Sequence, residues 1–130
     1  MAILDTDLLV ARLRHIPAAI MWIENHEGDE TFCVTPIQIL ELFKGAYISN
    51  KRQQNVAEIQ KLIASLEILP ITVQSAEVFG RLFSTLQEEG KMIGEFDLII
   101  ASVAINNGQS VVTRNISHFD AVLGLVVVKW

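Results

Sequence analysis

Two rhythms alternate along this chain. Short continuous runs of aliphatic and β-branched residues, which read as strands, are separated by longer stretches in which apolar positions recur every three or four residues, as on one face of a helix. Met1–Leu4 is an apolar run that stops at Asp5-Thr6-Asp7, Thr31–Val34 leads directly into Thr35-Pro36, and Ser110–Val112 and Leu125–Val128 read as two further strands. Ile68–Ile71, interrupted by Pro70, reads as a short edge element, because proline has no N–H to give to a ladder.

Between these runs the pattern predicts helices. Leu8–Arg14 and Pro17–Glu27 are two pieces broken at Pro17. Thr35 suits an N-cap and Pro36 a first helical turn, after which Ile39, Leu42, Phe43 and Ala46 recur at core spacing while Gln38, Glu41 and Gly45 fall on another face. Lys51–Leu66 carries a stripe of Val56, Ile59, Ile63 and Leu66, and Val73–Glu89 one of Val78, Phe79, Leu82, Phe83 and Leu86 before Gly90 ends it. Asp97 opens a segment, Leu98–Asn107, that is apolar nearly all round and closes at Gly108, the pattern of a buried helix. Strands separated by helices require crossovers, so the expected class is an α/β layer fold around a mostly parallel sheet.

Composition narrows the picture. The 130 residues are 51% hydrophobic, with no repeat, linker or low-complexity stretch, which predicts a single domain over residues 1–130 and excludes disorder. Ten Lys and Arg against fifteen Asp and Glu give a net charge of −5, which argues against a broad basic surface that grips nucleic acid by counterion release. That balance does not exclude a nuclease, since a dication held by carboxylates inverts the local field. Cys33 is the only cysteine, so neither an internal disulfide nor a multi-cysteine zinc site is available, and a reducing cytoplasm is the expected location. No basic-then-apolar leader precedes Asp5, and the longest apolar stretch, near Leu98–Ile105, is broken by Ser102 and falls short of the roughly 20 residues of a membrane span.

The candidate chemistry sits where strands end. Ligands of open parallel sheets bind at the carboxyl ends of the strands, and there the sequence places Asp5, then Thr35 with Glu41 beyond it, then Thr113-Arg114-Asn115. If the helix opened by Asp97 packs with its N-terminus on the same edge, Asp5, Glu41, Asp97 and Asn115 converge. Carboxylates gathered in a poorly solvated cleft repel one another and resist ionisation, and a hard dication relieves both. Oxygen donors without a His or Cys cluster favour Mg²⁺ or Mn²⁺ over zinc, and such ions most often serve phosphoryl transfer or phosphodiester hydrolysis.

Plainer readings exist for each residue. Asp5 can be a strand-end turn residue, Asp97 an N-cap, Glu41 a partner of Lys44 or a solvated side chain, Asn115 a turn closer and His118 a structural histidine. Cys33, between Phe32 and Val34, reads as a buried strand residue. The cations Arg12, Lys44 and Arg114 read first as solvated side chains, and only Arg114, beside the proposed site, stands out as a candidate contact for a phosphate.

Four segments in order, Ile3-Leu4-Asp5-Thr6-Asp7-Leu8-Leu9, Thr35-Pro36-Ile37 to Glu41-Leu42 with Gly45, Ile93-Gly94 to Asp97-Leu98-Ile99-Ile100-Ala101, and Val112-Thr113-Arg114-Asn115 with His118-Phe119, resemble PIN domains of the VapC toxin type. The resemblance extends to the closing Leu123-Gly124-Leu125 and Trp130. It implies a three-layer α/β/α sandwich and a Mg²⁺- or Mn²⁺-dependent endoribonuclease acting on RNA, the toxin of a type II toxin–antitoxin pair held in check by a VapB-type antitoxin. Carried over by position, Asp5 and Asp97 are metal ligands, Glu41 is a ligand or water-positioning base, and Thr6 and Thr113 orient carboxylates or the scissile phosphate. Asn115 stands at the family's fourth acidic position, a departure that removes one charge and puts a second tightly held metal in doubt. Asp7 stands where many members have Asn, and Glu95 adds an acid near Asp97.

The same resemblance implies a homodimer, for which Trp22, Phe79 and Phe83 are candidate apolar contacts, and an antitoxin tail whose basic and apolar side chains suit an acidic cleft on a chain of pI near 5.1. The alternative is a catalytically silent PIN domain that binds RNA or protein, motivated by Asn115. Asp5-Thr6-Asp7 is also similar to the nucleophile motif of haloacid-dehalogenase-like phosphatases, but the acidic pair that family needs downstream is missing. A phosphorelay receiver needs an Asp at the end of its middle strand, where this sequence has Thr35 and Glu41.

Overall fold

The computed structural model describes residues 1–130. The elements run β1 (Ala2–Leu4), α1 (Thr6–Leu13), α2 (Pro17–His26), β2 (Phe32–Val34), α3 (Pro36–Ile48), α4 (Arg52–Ala64), β3 (Glu67–Ile68), α5 (Val73–Glu89), α6 (Glu95–Asn106), β4 (Ser110–Val112) and β5 (Val127–Val128), with one 3₁₀ turn, Ile116–His118, between the last two strands. The five strands form one sheet in the order β3-β2-β1-β4-β5, and every pairing is parallel. Ile3 stands opposite Cys33 on one side and Val111 on the other.

The period-two alternation of the strands divides the core in two. Ile3, Cys33 and Val111 face a cluster built with Leu86 of α5, Leu98, Ile100 and Val103 of α6, and Phe119. Ala2, Leu4, Val34 and Val112 face the opposite way, into a cluster with Leu8 and Leu9 of α1, Ala19 of α2, Leu42 and Ala46 of α3, and Ile59 of α4. The result is the expected three-layer α/β/α sandwich. Phe119, wholly buried, anchors the turn after β4, and its truncation to Ala is expected to cost about 3–5 kcal/mol.

Several boundaries differ from the sequence reading, each for a local reason. Helix α1 starts at Thr6 rather than Leu8, because Asp5 is its N-cap and accepts from the Thr6 amide at 2.8 Å. Helix α6 starts at Glu95, with Gly94 as N-cap, so Asp97 lies inside the first turn and does not open the helix. The Ile68–Ile71 edge element is displaced to Glu67–Ile68 at the sheet's margin, with the Leu69 amide bonded to the Val34 carbonyl just before Pro70. Strand β5 is only Val127–Val128. Gly90 ends α5 in the left-handed conformation, φ 65°, that a residue with a side chain adopts only at a cost.

The aromatic residues suggested as a dimer patch are largely occupied within the chain. Trp22 stacks on His26 with ring centroids 4.1 Å apart, and Phe79 and Phe83 pack on the α5–α6 side of the core. No helix is long and apolar enough to cross a membrane.

Candidate active site

The strand order reverses between β1 and β4: the chain moves outward from β1 through β2 to β3, then returns to the other side of β1 for β4 and β5. At such a switch point the crossovers diverge and leave a crevice at the carboxyl ends of the strands. Asp5 follows β1 there and Thr113 follows β4, their backbones tied by the Asp5 amide donating to the Val112 carbonyl at 3.0 Å.

Asp5 is 6% exposed. One carboxylate oxygen accepts from the Thr6 amide and the other from the Thr113 hydroxyl, both at 2.8 Å. Its pKa is nonetheless pushed up to about 6, chiefly by burial, against which the bonds from Thr113 and Thr6 work; the charges of Asp7 and Asp97 push it further up. Asp97, half-buried in the first turn of α6, is also raised, by burial first, with His118 opposing. Its Oδ2 lies 3.2 Å from His118 Nδ1.

Glu41 reaches the same edge from α3. That helix is set by a capping box in which the Thr35 hydroxyl accepts from the Ile37 amide at 3.1 Å and Gln38 Oε1 accepts from the Thr35 amide at 3.0 Å. Gln38, wholly buried, also donates from Nε2 to the Leu4 carbonyl at 3.0 Å, pinning the start of α3 to the end of β1. One turn on, Glu41 Oε1 accepts from the Thr6 hydroxyl at 2.9 Å. Glu41 is therefore partnered by Thr6; the pairing with Lys44 is not formed, since the chain's two ion pairs are Met1–Glu30 and His118–Asp97.

Asn115 arrives at the same turn, its amide donating to the Thr113 hydroxyl at 3.0 Å, while its side chain is exposed. The structure thus brings Asp5, Thr6, Glu41 and Thr113 into one hydrogen-bonded chain of contacts, with Asn115 bonded to it through its backbone; Asp97 adjoins it electrostatically. Cys33 is a buried strand residue whose thiol is pushed up to about 11 by burial, so it stays protonated at neutral pH.

The site roles of three residues escaped the sequence reading. Gln38 was legible in principle, as the third residue after a Thr N-cap. Asp7 and Trp130 were not, because their partnership spans the whole chain: Asp7 accepts from the Arg114 amide at 2.8 Å and the Trp130 indole N–H at 3.2 Å, and lies 3.1 Å from the Thr113 hydroxyl, whose one proton it shares with Asp5.

The donor chemistry fits a hydrated Mg²⁺ or Mn²⁺. No three His, Cys, Asp or Glu side chains stand close enough to enclose an ion by themselves. Magnesium rarely asks for that, since it is commonly bound by one or two carboxylates and keeps several waters. A buried carboxylate whose ionisation is opposed by burial and by two neighbouring acids is the kind of donor a dication stabilises.

Fold and site together define a small α/β/α protein with an acidic crevice at the switch point of a parallel sheet. The sequence profile of the PIN domain matches residues 2–122. Ribonuclease VapC2 of Haemophilus influenzae is 32% identical over 127 residues, which cover 98% of this chain and 96% of that protein. The tRNA(fMet)-specific endonuclease VapC of Shigella flexneri is 28% identical with the same coverage. In the crystal structure of VapBC2 from Rickettsia felis bound to a DNA fragment from their promoter, a chain 28% identical superposes with a TM-score of 0.92 over 99% of this chain and 98% of that one. The chain belongs to the PIN-domain family, among relatives named as VapC ribonucleases.

Proposed function

We propose that this chain is a divalent-metal-dependent endoribonuclease, the toxin of a toxin–antitoxin pair, with Asp5 and Asp97 as metal ligands and Glu41 as a ligand or water-positioning base. The observation that carries the reading is the buried Asp5 carboxylate, seated beside Asp7 and Asp97 at the switch point with hydroxyl and amide donors around it and no cationic side chain against it. When bound, Mg²⁺ or Mn²⁺ supplies an activated water and offsets charge developing on the phosphate. The chain's own residues hold that arrangement: Thr113 fixes one oxygen of Asp5, the Thr6 amide fixes the other, and the Thr6 hydroxyl sets Glu41 at the edge of the crevice. Asn115 offers an amide where an acid would bring a further charge, which favours one tightly held ion over two.

The partner is a VapB-type antitoxin, by analogy with relatives found in VapBC complexes. A cleft of about 210 Å³ lined by Val10, Leu13, Glu41, Leu42, Gly45 and Ile59 opens beside Glu41 and suits an apolar segment carrying a basic residue. One domain over residues 1–130 and a homodimer complete the proposal; sedimentation of the chain freed of its partner reads the latter directly.

The test is cleavage of a mixed pool of single-stranded and structured RNA by the purified chain with Mg²⁺, with Mn²⁺ or with EDTA, alongside Asp5→Ala. Cleavage that needs both metal and Asp5 supports the reading. A folded chain that binds Mn²⁺ and RNA but leaves the pool intact overturns it in favour of a silent binding module.

A further inference from the structure

Arg114 is the only cation that joins the hydrogen-bonded edge of the crevice, and its placement is unusual. Its backbone amide donates to Asp7 at 2.8 Å, one residue beyond the Thr113 that holds Asp5. Its side chain, however, turns away from the carboxylates: the guanidinium carbon lies 3.7 Å from the centroid of the Trp130 ring and Nε donates to the Trp130 carbonyl at 3.3 Å. No Asp or Glu side chain lies within ion-pair distance of it. Trp130 is itself fixed, because its indole N–H donates to Asp7 at 3.2 Å.

The physical consequence is a guanidinium held at a set orientation with no Asp or Glu side chain against it. A stacked Arg keeps its two terminal amino groups free along the exposed edge of the plane, in the fork geometry that matches two phosphate oxygens. Stacking on the ring also restricts the rotamers of a long side chain, so less freedom is lost when a ligand is bound. An arginine paired with Asp7 or Asp5 would instead cancel the charge at the place where a polyanion must approach an acidic crevice.

We propose that Arg114, set on the Trp130 ring, is the anchor for an RNA phosphate flanking the one that is cleaved, and that Trp130 is its positioning residue. This rests on the ribonuclease reading above. Asp7 has a part in it as the acceptor that fixes Trp130 and the Arg114 backbone, one on each carboxylate oxygen, which gives a reason for an acid at a position where an Asn has only one acceptor oxygen for the two N–H donors.

The experiment uses a short single-stranded RNA that the wild-type chain cleaves, with Mn²⁺ for steady-state kinetics, and the same RNA carrying a fluorophore, in EDTA, for binding between 50 and 200 mM KCl. Arg114→Met is expected to lower kcat/KM about tenfold, the loss falling on KM, and to reduce the slope of log K against log salt by about 0.7, the equivalent of one phosphate contact on a single strand. Arg114→Lys restores the slope and only part of the KM, because the charge returns without the planar fork. Trp130→Leu raises KM by roughly three- to fivefold with the slope retained, and Trp130→Phe, which keeps a ring, lies nearer the wild type than Trp130→Leu. Circular dichroism accompanies each variant.

An Arg114→Met protein with the wild-type salt slope and KM, or one whose loss falls on kcat alone, overturns the inference while the ribonuclease reading stands. A wild-type chain that neither binds nor cleaves RNA overturns both.

Discussion

Asp5 and Asp97 sit on the same edge of the same sheet and are held in opposite ways. Asp5 is buried, caps α1, and has both carboxylate oxygens fixed, one by a backbone amide and one by a hydroxyl. Asp97 rides in the first turn of α6, with about a quarter of its side chain exposed and the His118 ring 3.2 Å away. Burial raises the pKa of both, but for Asp5 the opposing influences are a buried hydroxyl and a backbone amide, whereas for Asp97 the opposing influence is the half-exposed ring of His118. The contrast is one of restraint: the Asp5 carboxylate is held on both oxygens, the Asp97 carboxylate on one side only.

Removing either carboxylate is the strongest test of that contrast. Asp5→Asn and Asp97→Asn should each lower metal-dependent cleavage by about a thousandfold or more, given that a bound dication contributes several kcal/mol to charge stabilisation and each 1.36 kcal/mol is a factor of ten. Their effects on folding should differ. Asp5→Asn keeps a good N-cap and removes a charge that burial opposes, so its melting temperature at pH 7 in EDTA should rise clearly; Asp97→Asn, more solvated, should rise less. Calorimetry of both variants checks the order, and a fall for Asp5→Asn would mean that its carboxylate is stabilised by something other than the bonds described.

The same comparison predicts how stability varies with pH. A carboxyl whose folded pKa lies above its unfolded value binds protons more tightly in the native state, so its contribution to stability is complete below the unfolded value and is lost as pH rises through the folded one. For Asp5 that window runs from 3.8 to about 6 and is worth at most about 3 kcal/mol. Without metal the chain should therefore become less stable between pH 4 and 6.5 as far as Asp5 is concerned, and saturating Mn²⁺ should remove that loss by binding the ionised form. Urea titrations at each pH, with and without Mn²⁺, measure it. Cleavage should rise over the same interval, because the metal must displace a proton.

Next in size is Thr113→Val. The one Thr113 hydroxyl proton lies within reach of both Asp5 and Asp7, so the substitution frees Asp5 from half of its restraint while leaving the carboxylate in place. Loss of a group that orients a metal ligand typically costs 10–100-fold in metal affinity or activity. Mn²⁺ affinity and kcat should fall together by an amount in that range, whereas Thr113→Ser should keep most of both.

How much of this was legible beforehand depended on distance along the chain. The strand endings of β1, β2 and β4 and the parallel class could be read because apolar runs stop abruptly at Asp5, Thr35 and Thr113, and the crossovers between them leave little choice of topology. Glu41 could be read as unusual because it lies among Ile39, Leu40, Leu42 and Phe43. Its true partner, Thr6, could not, since nothing local links α1 to the second turn of α3. Asp97 was misplaced as the residue that opens its helix because Gly94 has no side chain to announce a cap. The Asp7–Trp130 contact joins positions near opposite ends of the chain, and no periodicity encodes a hydrogen bond between residues 123 apart.

The smallest predicted effect is the one that separates positioning from contact. His118 is half exposed, so its interaction with Asp97 is screened by water and worth at most about 1 kcal/mol, a change of up to roughly fivefold. His118→Gln removes an influence that lowers the Asp97 pKa, so the variant's pH–rate profile should shift toward higher pH, with its rate at pH 8 close to that of the wild type. A profile of unchanged midpoint would mean that burial and metal alone tune Asp97. A loss as large as that of Asp97→Asn, constant across pH, would mean that the ring touches the RNA or the attacking water.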